Sequence, residues 1–231
     1  MEKKIIFLHI PKTAGTSLRD IVEKEYPEKC LSVYPPWPYQ PEVLAEEIKA
    51  RLPSVKVLYG HVLFGLHHHL NIDAQYITFL RNPIERVNSF FNHSAYHSHA
   101  GYYKAIQNGL SLLQLLESEQ VLQQTNNMIT RMLAAYHTNN LLDDERVLEQ
   151  ALENIDKHFC VVGLMEKFAE SVNLLGKKLD WQSAYEIPYL NVVAKKHIQE
   201  VDAQTQAALE KYNRLDILLY EHVSKNFSSV T

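Results

Sequence analysis

An α/β fold, with a parallel sheet of about five strands covered by helices on both faces, follows from three features of this chain. Short apolar runs recur at 4–10, 31–34, 55–59, 76–80 and 159–162, and strands buried on both faces of a parallel sheet read as such runs. Segments with apolar residues at i, i+3 and i+4 spacing lie between and after them, as crossover helices require. The 231 residues are 46% hydrophobic and 22% charged, an ordinary globular balance long enough to bury a full core as one domain, 1–231.

Composition also excludes. A net charge of -4 and a pI near 6.3 argue against a general nucleic-acid binder, although a local basic pocket can sit on an acidic surface. Cys30 and Cys160 are the only cysteines, without metal-ligand spacing or a disulfide framework, so a reducing, cytoplasmic setting is expected. No apolar run approaches the ~20 residues of a membrane span, and no signal-peptide pattern opens the chain. Asn92-His93-Ser94 and Asn226-Phe227-Ser228 are then chance matches to a glycosylation acceptor.

The first strand runs into Pro11-Lys12-Thr13-Ala14-Gly15-Thr16-Ser17, after which a helical pattern begins. The first N–H groups of a helix lack intrahelical partners and lie at the positive end of its dipole, so this strand, turn and helix make an anion cradle. Gly15 admits a close approach of the main chain, Lys12 brings a mobile charge, and the hydroxyls of Thr13, Thr16 and Ser17 are further donors. Residues 31–34 lead into Tyr34-Pro35-Pro36-Trp37-Pro38-Tyr39, a loop stiffened by its prolines, either a substrate mouth or a surface connection. A helix is expected over 42–52.

The strand at 55–59 delivers Gly60-His61-Val62 to the same sheet edge. His67, His68 and His69 follow; neighbouring side chains point apart, so a solvated loop is expected and no metal site. The strand at 76–80 ends in Arg81-Asn82-Pro83-Ile84-Glu85. Asn82 is placed as N-cap, Pro83 at the first helical position, and Glu85 to return the capping-box bond. Arg81 therefore stands at the C-terminal strand edge, where open parallel sheets bind ligands. Ser89, two turns along the helix at 83–95, can point back toward a second phosphate; the competing reading pairs Arg81 with a carboxylate and packs Ser89. Arg86 either braces the site or pairs with Glu85.

From 100 to 155 helical patterns at 110–117, 121–135 and 145–155 succeed one another without a strand, an insertion suited to a lid or substrate wall. The last strand is followed by a helix at 166–179 and two long C-terminal helical segments.

A nucleotide kinase or GTPase is the first rival for the anion loop. Its motif sets lysine directly before serine or threonine, and its chemistry needs a magnesium carboxylate. Here lysine comes first, no Gly-Lys pair exists, and Glu166 is the one weak carboxylate candidate at a strand end.

HIPKTAGTSL at 9–18 and FLRNPIERVNSFF at 79–91 resemble the two nucleotide-binding segments of the sulfotransferases that use 3′-phosphoadenosine 5′-phosphosulfate, above all the carbohydrate branch containing heparan sulfate 2-O-sulfotransferase. Weaker matches are 162–179, Asn191, and Asp216, Leu219 and Tyr220 in the C-terminal helix. The resemblance implies a phosphate-loop-like sheet and transfer of a sulfuryl group to an acceptor hydroxyl of a glycan, lipid headgroup or small metabolite, leaving adenosine 3′,5′-bisphosphate and needing no metal. It assigns residues 12–17 (Lys12, Thr13, Ala14, Gly15, Thr16, Ser17) to the phosphosulfate, Arg81 and Ser89 to the 3′-phosphate, and a catalytic role to His61. Physically, a transferring sulfuryl group carries less charge than a phosphoryl group, so a lysine and helix-terminal donors can serve where kinases need magnesium. A histidine suits the base that the acceptor needs, and His61 is that base or a hydrogen-bonded structural residue. Tyr59 stands where the 2-O-sulfotransferase has a second histidine, which points away from the same uronic acid acceptor. His93, His97 and His99 follow the Arg81 helix, and Lys195 and Lys196 fall where the family closes a loop over the nucleotide. A small-molecule kinase and a catalytically inactive nucleotide-binding protein are the alternatives.

Overall fold

The computed structural model describes residues 3–35, 40–98, 100–136, 141–181 and 201–227. Five strands, β1 (Lys4–Leu8), β2 (Cys30–Val33), β3 (Val57–Gly60), β4 (Ala74–Leu80) and β5 (Phe159–Leu164), form one sheet in the order β2-β3-β1-β4-β5, every pair parallel. The five apolar runs are these strands, with ends shifted by a few residues. In chain order the helices are α1 (Gly15–Glu25), α2 (Pro41–Lys49), α3 (Leu66–Leu70), α4 (Pro83–Tyr96), α5 (Tyr103–Gln107), α6 (Leu112–Glu117), α7 (Leu122–Thr125), α8 (Met128–Leu133), α9 (Glu145–His158), α10 (Phe168–Lys178), α11 (Ala203–Tyr212) and α12 (Arg214–Phe227).

Strand alternation divides the core in two. Ile5 and Phe7 of β1, with Val57 and Tyr59 of β3, pack against Leu18 and Val22 of α1 and Val172 and Leu175 of α10. Ile6 and Leu8 face the other way, onto Leu44 and Ile48 of α2, Ile129 and Met132 of α8, and Leu219 and Val223 of α12. β1 is central, so loops leaving β1, β3 and β4 diverge from one point on the C-terminal edge, the position where such sheets hold ligands. Gly60 sits where strands meet closely: a Cβ there would lie 1.6 Å from the Val33 carbonyl oxygen.

Two sequence expectations need correcting. The helical pattern at 121–135 is broken into α7 and α8, because Asn127 takes a left-handed φ of 48° and the chain turns there. Asp216 of α12 caps α8, accepting from the N–H groups of Ile129 (3.0 Å) and Thr130 (2.7 Å), while Asn127 Oδ1 caps α12 by accepting from the N–H of Leu215 at 2.9 Å. Residues 67–69 form part of α3 rather than a loop; His68 and His69 are exposed, but His67 is buried with Nδ1 2.9 Å from the Tyr76 hydroxyl. Between 100 and 155 the described residues hold α5 to α9 and no strand. Among the described residues no helix is long and apolar enough to cross a membrane.

Candidate active site at the sheet edge

After β1 the chain turns at Ile10-Pro11 and enters α1 through a strained loop. Lys12 and Ala14 both take positive φ, 73° and 63°, which L residues adopt at a cost and which clusters at ligand sites. Alternation of hand along 12–14 turns successive N–H groups toward one concavity, an anion nest at the N-terminus of α1. No acidic side chain lies in the first turn of α1. The hydroxyl of Thr13, expected to face the anion, instead donates to the Ile10 carbonyl oxygen at 2.7 Å and is fully buried, so it holds the loop's shape. Thr16 is exposed and Ser17 half-buried.

Arg81 leaves the end of β4 beside this loop and donates from Nη1 to the Lys12 carbonyl oxygen at 3.5 Å. Burial holds both cations below their ordinary pKa values, and Arg81 presses Lys12 down further. No carboxylate pairs with Lys12 among the described residues, and the one ion pair of Arg81, to Glu85, is long at 3.4 Å. Two half-buried cations thus converge with weak neutralisation, which suits a polyanionic ligand. Asn82 caps α4 as expected, Oδ1 accepting from the N–H groups of Ile84 (3.0 Å) and Glu85 (3.2 Å). The return bond comes from elsewhere: Glu166, just after β5, accepts the Asn82 N–H at 2.7 Å, freeing Glu85 for Arg81. Glu166, the one weak magnesium candidate, therefore spends a carboxylate oxygen on the strand edge. Ser89 is half-buried two turns along α4. Arg86 neither braces the loop nor pairs with Glu85; it is fully buried, donating to the Gln124 carbonyl oxygen at 2.8 Å and to Met128 Sδ at 3.3 Å, with Asp216 as its compensating charge.

The register Leu8↔Gly60↔Val33, carried one residue further, sets His9, His61 and Tyr34 side by side on the α1 face. His61 ring stands 4.7 Å from that of His9 and 4.6 Å from that of Tyr34. Burial holds His61 down at about 4, so the imidazole is neutral at physiological pH. His9, which motif reading passed over, is buried, and burial first, then His61, Arg19 and Lys12, bring it to about 3. A Cβ on Gly15 would fall 1.8 Å from His9 Nε2, so glycine at the start of α1 is what lets the anion loop rest on this imidazole. The signal for His9 was its parity with Ile5 and Phe7. Tyr59 donates its hydroxyl to Glu23 and stands edge-on to Tyr34, ring centroids 6.3 Å apart. His93 and His97 lie near the end of α4 with their rings 4.2 Å apart and tilted by 37°. His99, residues 36–39, Asn191, Lys195 and Lys196 lie outside the described residues.

A family model described as Galactose-3-O-sulfotransferase matches residues 1–230. Galactose-3-O-sulfotransferase 3 from Bos taurus and from Homo sapiens are each 23% identical over 244 residues, covering 96% of this chain and 56% of theirs. Galactose-3-O-sulfotransferase 2 from Mus musculus is 24% identical over 163 residues, 67% of this chain and 40% of that protein. The chain thus spans about half the length of the curated relatives it matches. Among solved structures, that of mouse sulfotransferase SULT7A1 complexed with PAP aligns over 94% of this chain and 66% of that one, with a TM-score of 0.47 and 14% identity. Matched from residue 1 to 230, the chain belongs to the galactose-3-O-sulfotransferase family.

Proposed function

We propose that this chain transfers a sulfuryl group from 3′-phosphoadenosine 5′-phosphosulfate to a carbohydrate hydroxyl, and that the acceptor is a galactoside, as the names of its relatives suggest. The observation that carries the reading is the convergence of Lys12, Arg81 and His61 on one sheet edge within a family match spanning the chain. The donor set fits the nucleotide: a nest of N–H groups, a lysine with no carboxylate partner among the described residues, and an arginine with one long ion pair. When bound, the nucleotide supplies an activated sulfuryl group on a phosphate leaving group. Residues 12–17 hold the phosphosulfate end, and Lys12 neutralises charge that grows on the leaving oxygen. Arg81 and Ser89 hold the 3′-phosphate. His61, neutral above about pH 4, takes the proton of the acceptor hydroxyl on a ring nitrogen as the new bond forms. No residue of this mechanism requires a metal.

The test is transfer of labelled sulfate from the nucleotide to a panel of galactosides, other glycans and small alcohols, with chelator present throughout. Transfer to a galactoside with chelator is expected. Failure with every acceptor, or phosphoryl transfer from ATP that chelator abolishes, would overturn the reading.

A further inference from the structure

Three adjacent parallel strands end in ring-bearing residues on one face: Tyr34 after β2, His61 after β3 and His9 after β1. His9 is confined on every side. Phe7 stacks against it from the same strand at 5.6 Å, Gly15 closes over Nε2, and its N–H is fixed on the Gly60 carbonyl oxygen at 2.9 Å. An imidazole so held has a fixed Nδ1 direction, and Nδ1 lies 3.0 Å from the Tyr34 hydroxyl. Tyr34 is 42% exposed, and besides edge contacts to His9, Tyr59 and His61 that hydrogen bond ties its ring down. Thus anchored, Tyr34 stands perpendicular to His61, centroids 4.6 Å apart, while His9 meets the same imidazole at 4.7 Å; His9 and Tyr34 are themselves 5.9 Å apart, so the three rings form a triangle with His61 at one corner.

We propose that His9 and Tyr34 are a hydrogen-bonded positioning pair against which the His61 imidazole packs at the mouth of the anion loop, so that the pair fixes its orientation. The pair acts through His61 and transfers no proton itself. Its consequence for the reaction rests on the sulfotransfer reading. Its consequence for His61 does not. The charged and titratable groups facing this row are Lys12 from the loop, Arg19 and Glu23 from α1 and Tyr59 from β3.

Tyr34→Phe removes one hydroxyl from a partly exposed ring and leaves the core untouched. It should lower kcat about tenfold, the worth of one positioning hydrogen bond. Affinity for adenosine 3′,5′-bisphosphate, which Lys12 and Arg81 govern, should stay within about twofold of wild type. By NMR the His61 imidazole should titrate higher than in the wild type, because a ring that has lost its brace gains solvent. His9→Asn places an amide near the position of Nδ1 and should retain more kcat than Tyr34→Phe. Unchanged kcat and an unmoved His61 titration in Tyr34→Phe would overturn the pair. If the wild-type protein moves no sulfate at all, the sulfotransfer reading falls, and the titration alone decides: a His61 midpoint that moves upward supports the positioning pair, and one that does not overturns it.

Discussion

At the sheet's C-terminal edge and in the contact of α4, α8 and α12, the chain buries comparable sets of polar side chains and disposes of their bonding capacity in opposite ways. In the second region Asp216 accepts three bonds from Ile129 and Thr130, and Asn127 bridges the Leu142 carbonyl oxygen and the N–H groups of Leu215 and Asp216. Asn126 accepts from Leu142 N–H and from Arg131 while donating to the carbonyl oxygens of Leu142 and Tyr212. Among the described residues, the buried side-chain atoms without a partner here are Nε of Arg86, Oδ1 of the neighbouring Asn213 and Oγ of Ser224 on α12. At the sheet edge Lys12 has no carboxylate among the described residues, and Arg81 makes two long contacts. Saturation marks a joint, and spare cationic donors mark a ligand site. Both regions cost desolvation, since buried charge is expensive wherever it sits, but only the first is repaid within the protein.

The largest effect should come from breaking the saturated region. Burial pushes Arg86 down to about 10 and Asp216 up, and the electrostatic attraction between the two opposes both shifts and favours their charged forms. Asp216→Ala strands a fully buried guanidinium and uncaps α8 together, a loss of about 3–5 kcal/mol and a melting midpoint lower by about 10 °C in a chain of this size. A calorimetric scan checks this; a midpoint within a degree or two of wild type would mean that the joint is not what the geometry says.

Next in size, and opposite in kind, is Lys12→Ala. Removing a half-buried cation with no carboxylate partner should leave the melting midpoint unchanged or slightly higher, while sulfate transfer falls about 10²–10³-fold. If activity survived, the contrast between the two regions would lose its functional half. Arg81→Ala is smaller and more selective. Affinity for adenosine 3′,5′-bisphosphate should drop about tenfold to a hundredfold, the value of a charged hydrogen bond, with little change for the 5′-monophosphate. Calorimetric titration of both nucleotides decides; equal losses would remove the 3′-phosphate role of Arg81.

How much of each region the sequence discloses follows the same division. The strands, α4 with its Asn82 cap, and the anion loop are legible because each rests on contacts within a few residues: apolar runs, a capping residue, a turn before a helix. The break between α7 and α8 is not, because Asp216, some 87 residues away, holds it. For Arg86 the partners are Met128 and Gln124 and the compensating charge is Asp216, none of them on its own helix. Glu166 takes the Asn82 bond that local spacing gave to Glu85, again from another strand. His9 lay inside a recognised motif and was still missed, since its role depends on the register of β1 against β3 rather than on its neighbours in sequence.

Acid response offers the finest discrimination between the regions. His9 and His61 titrate at about 3 and about 4 in the folded chain, chiefly through burial, against 6.5 when exposed. The unfolded chain therefore binds more protons between those values, so stability rises with pH there, is complete above about 6.5, and declines as pH falls toward 4. Each such imidazole steepens that decline by at most about 1.4 kcal/mol per pH unit. His67, pressed to about 4 by burial and by His68 and His158, adds to the slope from α3. His61→Asn should flatten the dependence of the melting midpoint on pH between 6.5 and 4 by one imidazole's share, and lower turnover more than nucleotide affinity. In contrast, Arg131→Met, which cuts into the saturated joint, should lower the whole curve without changing its slope. A His61→Asn curve parallel to wild type would show that the edge imidazoles are not held neutral by the fold, and with that the distinction between a self-satisfied joint and an edge of neutral, buried imidazoles would fail.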